Sequence, residues 1–137
     1  MNSKTSITVI ALSITLAFAA AAYAQPDAGE LSIVGSWEAP IRINRNETSI
    51  ALTFSINDGE LQATLTSDGL GVYGLPADTV TRDGLRLTST FTRLGAEISG
   101  WLRLDDAKSE VIRIDADWFQ SAELVPIVLM PLSSNSN

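Results

Sequence analysis

Few residues in this chain are suited to acid–base or nucleophilic catalysis. The sequence contains no histidine and no cysteine, and Ser-His-Asp and Cys-His mechanisms need an imidazole to move protons near neutral pH. Beyond position 24 the only lysine is Lys108, in a polar turn beside Asp105 and Asp106, and charged groups in turns are normally solvated. We therefore predict no catalytic residue and no cofactor.

Asp115 and Asp117 form a pair of carboxylates whose spacing suits proton transfer or a hard cation. Two residues apart on a strand, they share one face at roughly 7 Å. Arg113 lies alongside and offsets their charge, and the loop carbonyl ligands typical of a calcium site are missing at suitable spacings. The pattern favours an exposed strand face, so we predict no metal site.

Four arginines offer the other charged chemistry. Alternation places their side chains opposite the apolar face of each strand. If a polar cavity were enclosed, they would instead face inward and hold a carboxylate ligand through bidentate hydrogen bonds. The four are Arg42, Arg86, Arg103 and Arg113.

Aromatic residues are the candidates for a binding site. Four of them, Trp37, Phe54, Phe91 and Trp118, are in phase with the apolar sets of their strands. They either fill a core or line a pocket for an apolar small molecule at one mouth of a barrel. Trp101 is out of phase and Tyr73 lies among glycines, so we assign these two to partner contacts.

Strands must position these residues, because apolar and polar residues alternate along most of the chain. Three Asp-Gly pairs, beginning at Asp58, Asp68 and Asp83, are typical of tight hairpin turns. The pattern predicts an all-β fold of eight or nine antiparallel strands, with short strands and a bend over residues 70–82. An up-and-down barrel is favoured because closure removes exposed strand edges, and a two-sheet sandwich is the alternative.

The last predicted strand, residues 124–132, is apolar on both faces. A strand of this kind is either covered on both sides or exposes one side to a partner.

The chain divides into a leader and one domain. Lys4, an uncharged apolar stretch over residues 7–20 and Ala22-Tyr23-Ala24 have the order of a cleavable signal peptide, and the stretch is too short and polar for a membrane span. We predict a signal peptide (1–24), a flexible lead-in (25–32), one β-barrel domain (33–132) and a disordered tail (133–137). The expected location is periplasmic or extracellular, in a bacterium, with no membrane anchor after cleavage.

Charge limits the partners. The formal net charge is −7, and loss of Lys4 with the leader makes it more negative. Such a surface repels phosphate backbones and anionic lipids, so we expect no nucleic-acid partner.

Several short segments resemble one known family. They are Gly35-Ser36-Trp37, Ser67-Asp68-Gly69, the run from Gly74 to Val80, and Trp118-Phe119-Gln120 leading to Val125-Pro126. Over about residues 33–132 the chain resembles the small β domain found ahead of bacterial α/β-hydrolase domains, here standing alone. The resemblance implies a lipocalin-like barrel that binds an apolar substrate or presents it to a hydrolase. In the family the catalytic residues belong to the hydrolase domain, so none is carried over.

Three functions follow as expectations. The first is an exported, non-catalytic module that binds an apolar small molecule or presents it to a hydrolase. The second is an interaction or structural module that contacts a hydrolase partner or a second copy through residues 124–132 and Trp101. The third is a cofactor-free isomerase or cyclase that uses carboxylates in a cavity.

Overall fold

The computed structural model describes residues 31–132, and in this range the fold is all-β. The predicted leader, residues 25–30 of the predicted lead-in and the predicted tail lie outside the described residues. No helix in the described range is long and apolar enough to cross a membrane. The strands are β1 (Gly35–Ile43), β2 (Asn46–Asn57), β3 (Glu60–Ser67), β4 (Val72–Pro76), β5 (Thr79–Asp83), β6 (Arg86–Phe91), β7 (Ala96–Leu104), β8 (Val111–Gln120) and β9 (Glu123–Pro131), with one 3₁₀ turn (Thr92–Leu94) after β6.

The strands form one curled antiparallel sheet in the order β4-β3-β2-β1-β9-β8-β7-β6-β5. This confirms the predicted all-β, antiparallel, barrel-like fold, and the strands form a single sheet rather than two. Neighbours in sequence are neighbours in the sheet, except for β4 and β5, and the first strand, β1, pairs with the last, β9. That pairing makes β9 the central strand and leaves β4 and β5 as the two edges.

The two edge strands are consecutive pieces of one bent strand. β4 pairs with β3, and β5 pairs with β6. Between them, the amide of Ala77 donates to the carbonyl of Ala63 at 2.9 Å, and the amide of Asp78 donates to that of Thr90 at 2.8 Å. The chain thus changes hydrogen-bonding partner within two residues, and this strand switch joins the two ends of the curled sheet.

The core confirms the alternation read from the sequence. Inward residues from eight of the nine strands, all but β5, are buried, including Ala39, Leu52, Leu65, Ile98 and Leu129. Their burial is the main source of stability, because the chain has no disulfide.

One element of the predicted alternation is wrong. The alternation of apolar Ile112, Ile114, Ala116 and Trp118 with charged residues predicts that Ile112 lies on the inner face of β8. In the structure Val111 is buried there and Ile112 is only half-buried. A bulge between Arg103 and Leu104 shifts the register, so that Leu104 lies opposite Val111. A bulge adds an unpaired residue and thereby changes which residues face inward.

One end of the barrel is covered by the segment that leads into β1. Ile33 is buried, and its carbonyl accepts a hydrogen bond from Trp37 Nε1 at 2.8 Å. Arg82, at the end of β5, donates from Nη1 to the carbonyl of Leu31. The segment is therefore held to both β1 and β5.

Gly100 tests the register of the two strands β7 and β8. It lies opposite Ala116, and a Cβ at position 100 would be 2.5 Å from the Cβ of Ala116 and 2.5 Å from the carbonyl oxygen of Asp115. We expect Gly100→Ala to lower the free energy of unfolding by about 1–3 kcal/mol through overpacking, measured by urea denaturation. Adding Ala116→Gly should restore part of the loss, whereas an unchanged stability in Gly100→Ala would contradict this packing.

Candidate interaction surface

The outer face of β9 is apolar along its whole length. Inward residues such as Ile127 and Leu129 are buried, and the alternate residues point to solvent. We call these outer residues the β9 stripe: Leu124 (57% exposed), Pro126, Val128 (46%), Met130 (50%) and the following Leu132 (47%). A contiguous apolar row of this kind marks an interaction site far more often than scattered single residues do.

Neighbouring strands extend the stripe. Phe119 on β8 lies opposite Leu124 and is also exposed. Trp101 on β7 lies opposite Asp115, which in turn lies opposite Val128. The sheet therefore brings two predicted partner-contact features, Trp101 and residues 124–132, onto one outer surface.

Trp101 is held in place by an arginine. The guanidinium of Arg86 lies 5.4 Å from the centroid of the indole ring, within range of a cation–π interaction. Arg86 also donates from Nη2 to Ser99 Oγ at 3.2 Å. About half of the Trp101 surface remains exposed, 48%, so the residue is fixed at one face and available at the rest.

Asp115 is occupied by two arginines. Its carboxylate accepts from Arg103 Nε at 2.8 Å and from Arg113 Nε at 3.0 Å. The hydrogen bonds from Arg113 and then Arg103 lower the pKa of Asp115 below its usual value. The carboxylate therefore stays ionised at neutral pH, which suits a structural role and not that of a proton donor. Arg113 offsets its charge as the sequence suggested.

Charge is polarised along the outer face of β7 and β8. Arg103 and Arg113 lie opposite each other near one end, where two like charges repel and Asp115 compensates. Glu97 and Asp117 occupy the other end, and neither forms an ion pair within residues 31–132. One end is positive and the other negative.

All four predicted arginines lie outward. Arg42 pairs with Glu47 on the surface, and Arg86, Arg103 and Arg113 are exposed on the β6–β8 face described above. The alternative arrangement, with inward guanidiniums around a carboxylate ligand, does not occur in the described structure.

Tyr73, the other predicted partner contact, is not part of this surface. It lies on edge strand β4 and is 70% exposed. A hydrogen bond to the carboxylate of Asp68 raises its pKa. Its role in a partner contact stays a prediction, separate from Trp101.

The four aromatic residues predicted to bind a ligand are buried inside the sheet. Trp118 donates from Nε1 to Gln120 Oε1 at 3.3 Å and borders a small cleft at one barrel end. The others pack within the core. The four are Trp37, Phe54, Phe91 and Trp118.

Sequence reasoning missed Ser89 and Phe119. Ser89 is an inward residue of β6, 1% exposed, whose hydroxyl has no hydrogen-bond partner in the described structure. The sequence did carry a signal for Ser89, because it is two residues after Leu87 on the same strand and must share its inward face. Phe119 follows Trp118 directly, so one of these two large aromatics had to point outward.

No group of three or more acidic residues in the described part of the chain is arranged to hold a metal ion. Comparison with known proteins found no matching family model, no matching curated protein and no matching solved structure.

The Asp115 pair of hydrogen bonds makes a pH-dependent contribution to stability. Because the pKa is lowered in the folded state, this contribution is present above the unfolded value of about 4 and is lost as pH falls through the folded pKa. We expect Asp115→Asn to cost about 1 kcal/mol or less at pH 7 and to flatten the stability curve below about pH 4, measured by urea denaturation against pH. An equal loss of unfolding free energy in Asp115→Asn at pH 7 and at pH 2 would contradict a contribution from the ionised carboxylate.

Proposed function

We propose that this chain is an exported, non-catalytic interaction module, and that the β9 stripe with Phe119 and Trp101 is its contact surface. The observation that carries the proposal is the exposure of every outer residue of the central strand. Water-exposed apolar area of this extent is removed favourably by association. The aromatic residues add contact area with little loss of conformational freedom.

The occupant we propose is a second copy of the chain. A two-fold axis lying in the plane of the face and perpendicular to β9 places opposite ends of β7 and β8 over each other. Arg103 of one copy then lies over Glu97 of the other, and the two stripes stack antiparallel. In an isologous dimer of this kind the Arg103–Glu97 pair occurs twice, and the contact between the two stripes occurs once, across the axis. The pairing of opposite charges fixes the orientation while the stripe supplies the affinity.

Val128→Lys tests the stripe at its centre. Burying an ammonium group there costs free energy without a partner charge, so we expect dimer dissociation to rise at least about tenfold, measured by sedimentation velocity with purified protein. Ser55→Lys, on the outer face of β2, adds the same charge to an exposed position outside the stripe and should leave the dimer intact.

The orientation has its own test. Arg103→Glu and Glu97→Arg should each weaken the dimer, and the double variant should recover it, because the exchange restores both ion pairs. Wild-type protein that stays monomeric at about 100 μM would overturn self-association. A complex with an α/β-hydrolase that Val128→Lys breaks would instead assign the surface to the partner implied by the family resemblance.

A second candidate function is the binding of an apolar small molecule inside the sheet. Ser89 favours it, because an inward hydroxyl without a partner is a ready hydrogen-bonding group for a ligand. Such a ligand would contact the aromatic side chains of the core, which would have to move to admit it. The hydroxyl would then fix its polar end.

Two buried serines give a matched test of this candidate. Ser67 Oγ donates to the carbonyl of Ser49 at 2.8 Å, so Ser67→Ala should lower the free energy of unfolding by about 1 kcal/mol. Ser89→Ala removes an unsatisfied hydroxyl and should raise it by up to about 1 kcal/mol. If native mass spectrometry finds a bound small molecule and Ser89→Ala loses it together with stability, the interior is a binding site. A stabilised Ser89→Ala protein without a ligand contradicts this.

A further inference from the structure

The strand switch leaves a slot in the barrel wall. After Ala77, which bonds to Ala63, the bent strand leaves β3 and joins β6. The first half of β3 and the whole of β5 therefore lie side by side with no ladder between them. The resulting opening has a volume of about 680 Å³. Two strand edges thus face each other across a space that no described part of the chain fills.

The backbone of β3 offers hydrogen bonds to this slot. Asp58 and Gly59 both have positive φ, 51° and 79°, which defines a two-residue turn closed by a hydrogen-bonded pair, Asn57 and Glu60. Since hydrogen-bonding direction alternates along a strand, Leu61 and Ala63 point their backbone groups away from β2. Ala63 bonds with Ala77, whereas Leu61 has no backbone partner on this side within residues 31–132.

The side chains around the slot differ between its inner and outer sides, as they do around a strand in the wall of a barrel. The floor, which faces the core, is apolar, and the rim, which faces solvent, is polar. A strand inserted here would place alternate side chains on each. Floor residues are Leu61, Ala77 and Val80, and rim residues are Ser55, Gln62 and Thr79.

The charged residues that line the slot, Glu60 and Asp78, are both acidic. Asp58, in the turn before β3, and Asp83, the last residue of β5, add negative charge next to these strands, and none of the four forms an ion pair in the described part of the chain. The cation nearby is Arg82, whose guanidinium donates to the carbonyls of Leu31 and Gly84. The slot therefore favours a ligand with positive charge.

We infer that this slot binds one extended peptide segment of a partner protein by strand addition, with apolar side chains inward and cationic side chains outward. Main-chain hydrogen bonds to an unpaired edge supply affinity, and alternate pockets supply specificity. The site is independent of the β9 stripe. β9 is the central strand of the sheet, whereas the slot lies where the two edges of the sheet meet. Failure of one proposal leaves the other standing.

A synthetic probe tests the site directly. The probe is a capped seven-residue peptide that alternates valine and lysine, and the control is the same peptide with N-methyl groups on alternate residues, which removes donors but keeps charge. We expect saturable binding of the first peptide only, with amide-exchange protection rising in Glu60–Ala63 and Thr79–Asp83. No protection at about 1 mM peptide, or equal binding of the methylated control, would overturn the proposal.

Charge reversal locates the binding. Glu60→Lys with Asp83→Lys should weaken the probe about tenfold at low salt. Asp106→Lys with Glu110→Lys makes the same change in net charge in the turn between β7 and β8 and should have little effect. An equal loss in both double variants would show attraction to the whole acidic protein and overturn the assignment to the slot.

Discussion

The structure depends on the two hydrogen bonds at the strand switch. Ala77 bonds to β3 and Asp78 bonds to β6, so one bent strand holds both ends of a sheet that would otherwise be open. The carboxylate of Asp78 adds a third bond, from the amide of Thr92 at 2.6 Å, which lowers its pKa. The same bonds determine where the wall is incomplete, because a strand that changes partner cannot pair on both sides along its whole length.

The β9 stripe and the seam at the strand switch have opposite characters. The central strand β9 pairs with β8 over residues 123–129 and with β1 at Met130 and Pro131, and its outer face carries apolar side chains that no described residue covers. The seam at the other side of the sheet has polar surroundings and unpaired backbone. Association at β9 would remove apolar area from water, whereas association at the seam would satisfy hydrogen bonds. One small sheet thus offers two contact surfaces, one favoured by burial of apolar area and the other by backbone hydrogen bonds.

Local pattern predicted most of the fold. Alternation identified the buried faces of β1, β2, β3 and β7, and the Asp-Gly pairs at positions 58 and 83 mark hairpin turns. The register of β8 could not be predicted, since the bulge near Leu104 depends on how the turn before Val111 closes. The strand switch was beyond local pattern as well: residues 70–82 indicated a bend, but the choice of partner on each side is a long-range matter.

The candidate surface was predicted in part. The two-sided apolar character of residues 124–132 and the phase of Trp101 were visible in the sequence, and their adjacency required the register across β7, β8 and β9. Alternation could not decide between core and pocket for the inward aromatics, because both place the side chain on the same face. The second arginine on Asp115, Arg103, comes from a neighbouring strand and leaves no local signal.

The pairing of β1 with β9 has a topological consequence. The amide of Leu132 donates to the carbonyl of Ser36 at 2.8 Å, so the start of β1 lies beside the end of β9. In connectivity the domain is a ring of strands that happens to be cut between β9 and β1. A short linker joining these ends, with a new opening in the exposed turn at Asp106, would give a circular permutant with the same sheet order. The order of the elements along the gene is thereby separable from the order in the sheet.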